Sequence, residues 1–412
     1  MGNSNWRVVN LKEVADVNPE LIDKSWPHKH ISYIDISSVG QGYLAEKPKV
    51  ISLADAPSRA KRMVRLGDTI VSTVRPNRRS MLYASDPSPD WIVSTGFAVI
   101  RPKQDLISPR YLYSCVFNQS FTDYLVAHEI GAAYPAVSVT DISNAPIPLF
   151  PRVEQEAIAC ILGALDDKIE LNRQMCKTLE GIAQAIFKSW FVDFDPVHAK
   201  ATGMQPDGLK PAIAALFPDS LVDSEFGKIP TGWKVSSLED VITRIPVGKK
   251  YEQRTANSKG QIPILDQGQS GIIGYHDNEP GVIANKDRPI IVFANHTCYM
   301  RLIYFPFSAI QNVLPFVGNG INTIWLYFAT LGKQTFTEYK GHWPDLMRQK
   351  ICVPNMMLDD RFSEIVTPLL LKMWCCMEEN NPLGSIRDSL LPRLISGELK
   401  VKDAEKIASR LV

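Results

Sequence analysis

Two short segments concentrate the side chains that could bind an anionic polymer. Residues 58–79 carry seven arginines and lysines against one acidic residue, Asp68, which gives a local charge of +6. Residues 243–260 carry five against Glu252, a local charge of +4. Lysine and arginine neutralise phosphates, and arginine also forms paired hydrogen bonds with guanine edges. The pattern predicts two nucleic-acid-binding loops, with two solvated basic faces as the simpler alternative.

Polar and aromatic residues suited to base contacts stand among these charges. Amide side chains can read base edges, and aromatic rings can stack on bases. The predicted nucleic-acid contacts are therefore Arg59, Lys61, Arg62, Arg65, Arg75, Asn77, Arg78 and Arg79 in the first segment, and Arg244, Lys249, Lys250, Tyr251, Arg254, Gln267, Gln269 and His276 in or near the second. Any one of these side chains could equally be ordinary loop surface.

No catalytic signature accompanies the basic segments. The sequence has no G-x-x-x-x-G-K-[ST] phosphate loop, no G-x-G-x-x-G and no Asn/Asp-Pro-Pro-aromatic tetrapeptide of the amino-methyltransferases. Its seven histidines lack metal-ligand spacing, and its seven cysteines form no CxxC pair. We therefore predict that the chain is not an enzyme and holds no metal or cofactor of its own.

Length and composition set the frame for these loops. With 412 residues, 45% of them hydrophobic and 22% charged, the chain should form two or three domains of an ordinary soluble protein. A net charge of +1 provides no overall field toward nucleic acid or membrane, so any anion-binding surface must be local. No stretch approaches the roughly 18 apolar residues of a membrane-spanning helix, and the sequence predicts a cytoplasmic protein.

Residues 151–194 are predicted to form the helix that organises the chain. Apolar residues recur in two heptad series, at Ile158, Leu165, Leu179 and Ile186 and three positions further on at Ile161, Met175 and Ile182. Asn172 falls within the first series, where a polar side chain often fixes register. This pattern predicts a helix paired with another helix over several heptads, although an ordinary long core helix is the alternative.

An internal repeat supplies the partner helix. The pattern Trp-x-Val-x-x-Leu-x-x-Val that begins at Trp6 recurs from Trp233, and the Leu-x-x-Ile that begins at Leu179 recurs from Leu383. One repeat over so long an interval indicates duplication of a whole unit. A second long helix is expected from Asp359 to about Ile395, with Pro368 near its start, but Pro382 should kink or break it.

The predicted architecture is α+β: two globular α/β domains separated by two long antiparallel coiled-coil-like helices, with an internal pseudo-two-fold repeat. The expected order is a first domain at 1–150, a long helix at 151–195, a connector at 196–230, a second domain at 231–356, and a long helix with its tail at 357–412.

Several stretches resemble the specificity subunits of type I restriction–modification enzymes. Their central region is similar to Ile147-Pro-Leu-Phe-Pro-x-x-Glu-Gln155, Leu165-Asp-Asp-Lys-Ile169 and Phe187-Lys-Ser-Trp-Phe-Val-Asp-Phe194, and their second conserved region to Ile386-Arg-Asp-x-Leu390-Leu-Pro-Arg-Leu-Ile-Ser-Gly-Glu398. The duplicated layout and the Gly-Trp-x-Val sequence at Gly232 also match. The resemblance covers nearly the whole chain.

This resemblance implies a DNA-recognition function for the chain. In the family, two target-recognition domains each read one half of a split double-stranded DNA target, and the helical pair sets their separation. Two methyltransferase subunits dock on the helices and methylate adenine N6 using S-adenosylmethionine. Two restriction and translocase subunits, which use ATP and magnesium, complete the restricting complex. The resemblance implies no membrane partner.

On this reading, the outer face of the helices should carry the docking residues. The candidates are Glu154, Gln155, Asp166, Asp167, Lys168, Glu170, Arg173, Trp190 and Phe191. Two other functions remain open on the sequence alone: a self-contained DNA methyltransferase or nuclease, and a coiled-coil adaptor that does not contact DNA.

Overall fold

The computed structural model describes residues 6–23, 26–131, 133–268 and 271–408. The chain divides into two compact units. The first unit comprises Met1–Arg173 and Met377–Val412, and the second comprises Gln174–Cys376. Each unit therefore combines one α/β domain with segments of both long helices.

The domain of the first unit is built from short strands and short helices. In chain order they are β1 (Arg7–Asn10), α1 (Leu11–Val14), β2 (Ala15–Val17), β3 (His30–Ile34), β4 (Lys49–Ser52), β5 (Ala60–Met63), β6 (Thr69–Ser72), β7 (Met81–Tyr83), β8 (Trp91–Ser94), β9 (Phe97–Pro102), α2 (Pro109–Phe117), α3 (Gln119–Ala127), α4 (Val139–Ser143) and β10 (Pro146–Leu149). They form the four-stranded sheets β2-β9-β6-β7 and β4-β3-β8-β5 and the antiparallel pair β1-β10.

The first long helix and a connector come next. Their elements are α5 (Arg152–Phe191), α6 (Asp195–Ala201), α7 (Pro211–Ala214), β11 (Leu221–Ser224) and β12 (Gly227–Pro230). Strands β11 and β12 pair with each other as an antiparallel hairpin.

The domain of the second unit follows, and then the second long helix. The elements are β13 (Lys234–Ser237), α8 (Leu238–Val241), β14 (Ile242–Arg244), β15 (Lys250–Tyr251), β16 (Ile262–Leu265), β17 (Ile272–His276), β18 (Ile290–Ala294), β19 (Met300–Ile303), β20 (Ser308–Ile310), β21 (Val313–Gly318), α9 (Thr323–Thr330), α10 (Trp343–Met347), β22 (Lys350–Val353), α11 (Met356–Ile395) and α12 (Val401–Ala408). The sheets are β14-β21-β18-β19, β15-β20-β16-β17 and the pair β13-β22.

The two domains repeat the same plan, which confirms the duplication predicted from the sequence. Strands β13 and β14 follow β1 and β2 at the spacing that separates Trp233 from Trp6, and α11 has the same length as α5. The Leu11 backbone N–H donates to the Ala145 carbonyl at 2.9 Å, and the Leu238 N–H donates to the Gln349 carbonyl at the same distance. The repeat therefore extends to individual backbone hydrogen bonds, and the α+β class is also confirmed.

The buried stripe of α5 differs from the predicted one in its second series. Ile158 and Leu165 are buried as expected, and so is Ile161 at the start of the second series, but Met175 and Ile182 are 39% and 43% exposed. The inward series instead lies four residues after the first one, at Leu162, Ile169, Cys176, Ala183 and Trp190. The sequence pattern concealed it because Cys176 and Ala183 are small and contribute little to an apolar count.

Helix α11 is continuous through both prolines, so the predicted break at Pro382 is wrong. The helix starts at Met356, which places Pro368 in its interior and not near its start. A proline removes one backbone N–H from the helical ladder and costs about 3 kcal/mol in a helix interior. Burial of Leu370 and Leu383, at 6% and 3% exposure, provides tertiary packing that offsets this cost.

The long helices run antiparallel in the first unit. Asp166 pairs with Arg387 at 2.9 Å, and Asn172 Nδ2 donates to Glu379 Oε2 at 3.0 Å and to Asn380 Oδ1 at 2.9 Å. Asn172 is 3% exposed, so the polar position predicted in the seam is buried and hydrogen-bonded. These partners fix which turns of the two helices meet.

The same direction holds within the second unit. Cys176 Sγ lies 3.5 Å from the Met373 carbonyl oxygen, and the rings of Phe187 and Phe362 are 5.5 Å apart. Positions further along α5 thus contact positions closer to the start of α11, as they do in an antiparallel pair. Across the described ranges, no helix is long and apolar enough to cross a membrane.

Candidate nucleic-acid interface

The first candidate site is the turn between β6 and β7. Arg75 and Arg79 have left-handed backbone conformations, with φ of 50° and 54°, and Pro76–Arg78 forms a single 3-10 turn between them. Asn77 and Arg78 are exposed in this turn, and neither side chain has a partner among the described residues. The turn therefore presents a guanidinium and an amide to solvent.

An exposed tyrosine accompanies this turn. The Arg75 guanidinium lies 4.6 Å from the centre of the Tyr134 ring, and Tyr134 is 71% exposed. The backbone N–H of Arg75 donates to the Pro135 carbonyl at 2.7 Å. Ile130 and Ala136 exchange backbone hydrogen bonds of 2.9 and 3.0 Å. The backbone thus holds a cation and an aromatic ring together on the surface.

Arg79, in contrast, anchors the turn and is not free to contact DNA. Its Nη1 donates to Gln119 Oε1 at 3.1 Å, its Nη2 donates to the Phe117 carbonyl, and its guanidinium lies 4.9 Å from the centre of the Phe117 ring. Burial lowers the pKa of this guanidinium. The predicted phosphate contact at Arg79 is corrected to a structural role at the α2–α3 junction.

The other predicted basic residues of the first unit lie on or near β5, in the second sheet. Arg59 donates to Asp35 at 2.6 Å and to the Tyr33 hydroxyl at 3.0 Å, and its hydrogen bond to Tyr33 is the main cause of its raised pKa. Arg62 has one buried guanidinium nitrogen without a hydrogen-bond partner in the described part of the chain, and burial lowers its pKa. Lys61 is exposed.

Arg65 is also paired within the chain. Its Nε donates to Glu20 Oε2 at 2.9 Å. The segment that forms one basic cluster in the sequence is therefore divided between two sheets and partly neutralised by acidic residues distant in sequence. Arg75, Asn77 and Arg78 remain together on one surface.

In the second unit, two predicted cations line one cavity. Arg244 and Lys250 border a space of about 320 Å³, together with the amide side chains of Asn295, Gln311 and Asn312. Trp343 also lines it, and its ring centre is 5.5 Å from the Arg244 guanidinium. Cations, amides and an aromatic ring are the residue types that bind phosphates and base edges.

The turn after β18 matches the turn after β6. The His296 ring stacks on the Tyr339 ring at 4.9 Å and 14°, and Tyr339 is 83% exposed. The His342 N–H donates to the Asn295 carbonyl at 2.8 Å, where the first unit has Val137 N–H donating to the Thr73 carbonyl at 2.9 Å. Each unit therefore presents an exposed tyrosine that packs against a nitrogen-bearing side chain, and these two side chains, Arg75 and His296, come from equivalent turns.

Gln267 supports this turn from the neighbouring sheet. Its Oε1 accepts from the His296 backbone N–H at 2.9 Å, and its carbonyl accepts from the Thr297 hydroxyl at 2.6 Å. Gln267 thus positions a candidate contact residue. The companion prediction, Gln269, falls outside the described residues.

Tyr251 and His276 are not available for base stacking, which corrects that prediction. They are 7% and 3% exposed, and their rings stack on each other at 4.2 Å and 8°. Burial lowers the pKa of His276. Lys249 remains exposed beside the Tyr251 ring, and exposed Arg254 pairs with Glu252 at 2.5 Å.

Three of the predicted docking residues are buried and are likewise corrected. Gln155, at 1% exposure, accepts from the Ser108 backbone N–H at 2.8 Å. Trp190 and Phe191 are both 5% exposed and pack on Phe362 with ring centres 6.2 and 5.4 Å away. Their large side chains belong to the core of the second unit.

The charged docking candidates are mostly paired within the first unit. The pairs are Asp166 with Arg387 (2.9 Å), Asp167 with Arg110 (2.8 Å), Lys168 with Glu379 (3.1 Å) and Glu170 with Arg173 (4.0 Å). Burial raises the pKa of Asp166, although the Arg387 guanidinium opposes the shift. Glu154 is exposed in the first turn of α5.

Sequence reasoning missed four residues of these surfaces: Tyr134, Tyr339, His296 and Asn312. The only signal was positional and covered two of them, since His296 and Asn312 lie in turns next to apolar strands, whereas Tyr134 and Tyr339 lie in loops between helices. Throughout the described residues, no group of three or more His, Cys, Asp or Glu side chains could hold a metal ion.

Comparisons with known proteins find similarity to type I restriction–modification specificity subunits. Residues 3–181 match the family model described as "Type I restriction modification DNA specificity domain". The HindI specificity subunit of Haemophilus influenzae is 27% identical over 85% of this chain and 90% of its own length, and the MjaIX specificity subunit of Methanocaldococcus jannaschii is 24% identical over 97% and 94%. A solved S subunit from M. genitalium shares the fold with a TM-score of 0.56 at 14% identity, over 96% of this chain and 97% of that one.

The MjaIX subunit aligns over 97% of the chain, which takes in residues of both domains and both long helices. The absence of a catalytic motif from the sequence accords with the description of the relatives as specificity subunits. Residues 3–181 thus match a type I restriction modification DNA specificity domain, and over most of its length the chain is similar to specificity subunits of type I restriction enzymes.

Proposed function

We propose that this chain reads a bipartite double-stranded DNA target, each half being recognised by the α/β domain of one unit. The observation that carries the proposal is the repeated surface: Arg75 on Tyr134 in the first unit and His296 on Tyr339 in the second. A duplicated protein with a duplicated contact surface suits a target with two half-sites, because half-site organisation mirrors protein geometry.

Phosphate contacts and base contacts should come from different residues of these surfaces. Flexible cations such as Arg78, Arg244 and Lys250 would bind phosphates and fix the position of each domain on the duplex. Short side chains that are fixed by neighbouring residues would read base edges in the major groove, where each base pair presents its own pattern of hydrogen-bond donors and acceptors. The basic character of both surfaces supports this division.

The catalytic steps would belong to partner subunits. We propose that two methyltransferase subunits dock on the long helices and methylate adenine N6 with S-adenosylmethionine, and that they flip the adenine out of the duplex to reach it. Two restriction and translocase subunits, using ATP and magnesium, would complete a cytoplasmic restricting complex. Since Gln155, Trp190 and Phe191 are buried, exposed helix positions such as Glu154 are better candidates for docking.

Methylome sequencing of cells that co-express this chain with its modification subunit tests the proposal. We expect N6-methyladenine in one split motif, and none when either protein is expressed alone. Methylation by this chain alone would overturn the assignment of catalysis to a partner. A continuous motif, or methylation independent of this chain, would overturn the two-domain reading.

A further inference from the structure

We propose that Asn312 recognises one adenine of the target with its side-chain amide, and that His296 fixes the orientation of this amide. The inference rests on the DNA-reading function proposed above and names a specificity-determining residue within it. It follows from the hydrogen bonds of one small cluster in the second unit.

Asn312 occupies the two-residue turn between β20 and β21. Its φ of 67° lies in the left-handed region, which asparagine adopts more readily than most residues other than glycine. Its carbonyl accepts from the Asn295 N–H at 2.9 Å, which joins this turn to the one after β18. The side chain therefore starts from a fixed backbone and lines the same cavity as Arg244 and Lys250.

The partners of His296 determine which of its ring nitrogens carries hydrogen. His296 Nδ1 lies 2.8 Å from the Lys340 carbonyl oxygen, which can only accept, so Nδ1 must be the protonated nitrogen. In the neutral ring the other nitrogen, Nε2, then carries a lone pair and no hydrogen. The group that lies within hydrogen-bonding distance of this lone pair is Asn312 Nδ2, at 2.9 Å.

This tautomer fixes the amide of Asn312. Nδ2 must face the ring because it alone can donate, and Oδ1 must point away from the ring. Oδ1 has no hydrogen-bond partner within the ranges that the structure covers. One hydrogen of the Nδ2 amino group is used by His296, so one donor and one acceptor remain on the same amide.

The imidazole that imposes this orientation is itself held in place. Its face stacks on Tyr339 at 4.9 Å, and its backbone N–H donates to Gln267 Oε1 at 2.9 Å. A side chain held by its neighbours loses less conformational freedom on binding, so its contacts contribute more to affinity. His296 is therefore a positioning residue, and Asn312 is the residue that contacts the base.

Adenine is the base that matches the remaining donor and acceptor. In the major groove it presents the N6 amino group as a donor and N7 as an acceptor, and an asparagine amide pairs with both. Guanine presents two acceptors at this edge, and the Oδ1 atom of Asn312 would face guanine O6 without a hydrogen. The fixed amide should thus discriminate against guanine in particular.

The first test compares methylomes of cells that express the modification subunit with the wild-type chain, with Asn312→Gly or with Asp287→Ala. Glycine removes the side chain while tolerating the left-handed backbone, so the variant should fold. We expect Asn312→Gly to relax one position of one half-site, where the wild-type motif has adenine on one strand. Asp287→Ala, at an exposed position of the loop between β17 and β18, should leave the motif unchanged.

A binding measurement then tests the contact itself. With purified complex, replacing that adenine by purine or 7-deazaadenine should weaken wild-type binding roughly ten-fold each, and should not affect the Asn312→Gly complex. His296→Ala should relax the same position, and His296→Gln, whose side-chain oxygen can accept from Asn312, should restore the preference.

The outcomes separate this inference from the proposed function. A normal split motif that Asn312→Gly leaves unchanged would overturn the role of Asn312 and leave the DNA-reading function intact. Relaxation at a position without adenine would overturn the assignment of the base. Absence of any methylated motif with the wild-type chain and its partner would overturn the proposed function itself.

Discussion

Gln155 Oε1 accepts a hydrogen bond from the Ser108 backbone N–H at 2.8 Å, where α2 begins. The equivalent residue of the repeat, Asp359 in the first turn of α11, accepts from the Asn322 N–H through Oδ2 at the same distance, where α9 begins. A helix leaves its first N–H groups without intrahelical partners. In each unit, a residue in the first turn of a long helix thus caps a helix of the adjoining domain.

This contact predicts that Gln155→Ala destabilises the protein. The Ser108 N–H and the Phe150 carbonyl, which bonds Gln155 Nε2 at 2.8 Å, would lose buried partners. An unsatisfied buried group costs about 1–3 kcal/mol, so the free energy of unfolding in urea should fall by that order. Glu154→Ala, at the exposed neighbouring position, is the control and should change it little. Equal effects of the two variants would contradict the capping role.

Arg78 and Arg79 are adjacent in sequence but should respond differently to replacement by alanine. Arg78→Ala should lower DNA affinity and reduce the slope of log affinity against log salt by about 1, as expected for loss of one phosphate contact. Arg79→Ala should lower thermal stability instead, because its side chain packs on Phe117 and bonds Gln119. Fluorescence anisotropy across a salt series, with melting curves of both variants, separates the two effects. A lower salt slope in Arg79→Ala with unchanged stability would restore it as a DNA contact.

The pH dependence of stability should reveal His276. Because burial lowers its pKa, the folded protein resists protonating this imidazole, while the unfolded chain binds the proton as pH falls through about 6.5. Stability contributed by the neutral ring is therefore present above that pH and declines below it. Urea unfolding at pH 7.5 and 5.0 should show a larger loss for the wild type than for His276→Phe, which keeps a ring against Tyr251. Identical losses would show that His276 does not contribute.

The repeat and the long helices were predictable because they depend on periodicity and spacing within the sequence. The spacing between Trp6 and Trp233 reappears between β1 and β13, and the expected end of α11 at Ile395 is correct. Such patterns record local geometry, which the sequence carries directly.

The roles of individual site residues were less predictable because they depend on tertiary partners. Gln155 and Arg79 look like surface residues by type, yet each is fixed by a residue distant in sequence. Trp190 and Phe191 lie at a helix end, but the connector and second domain enclose them. Asn312 draws no attention as a single amide until its contact with His296 is known.

The paired tyrosines give the most direct test of the two-domain function. Tyr134 and Tyr339 are exposed, and each packs against a side chain from one of the two equivalent turns, Arg75 or His296. An aromatic ring beside a nucleic acid contributes affinity through stacking and apolar contact. We expect Tyr134→Ala to weaken binding of the complete complex on the order of ten-fold, and Tyr339→Ala to do the same.

The two effects should map to different parts of the target. In competition assays with duplexes altered in one half-site, each variant should become less sensitive to changes in its own half and keep its sensitivity to the other. Leu106→Ala and Phe226→Ala, at other exposed apolar side chains of the two units, are matched controls that should bind normally. Two surfaces that each contact their own half-site should each affect only that half-site when mutated. If both tyrosine variants lost sensitivity to the same half, the two units would therefore not read separate halves of the DNA.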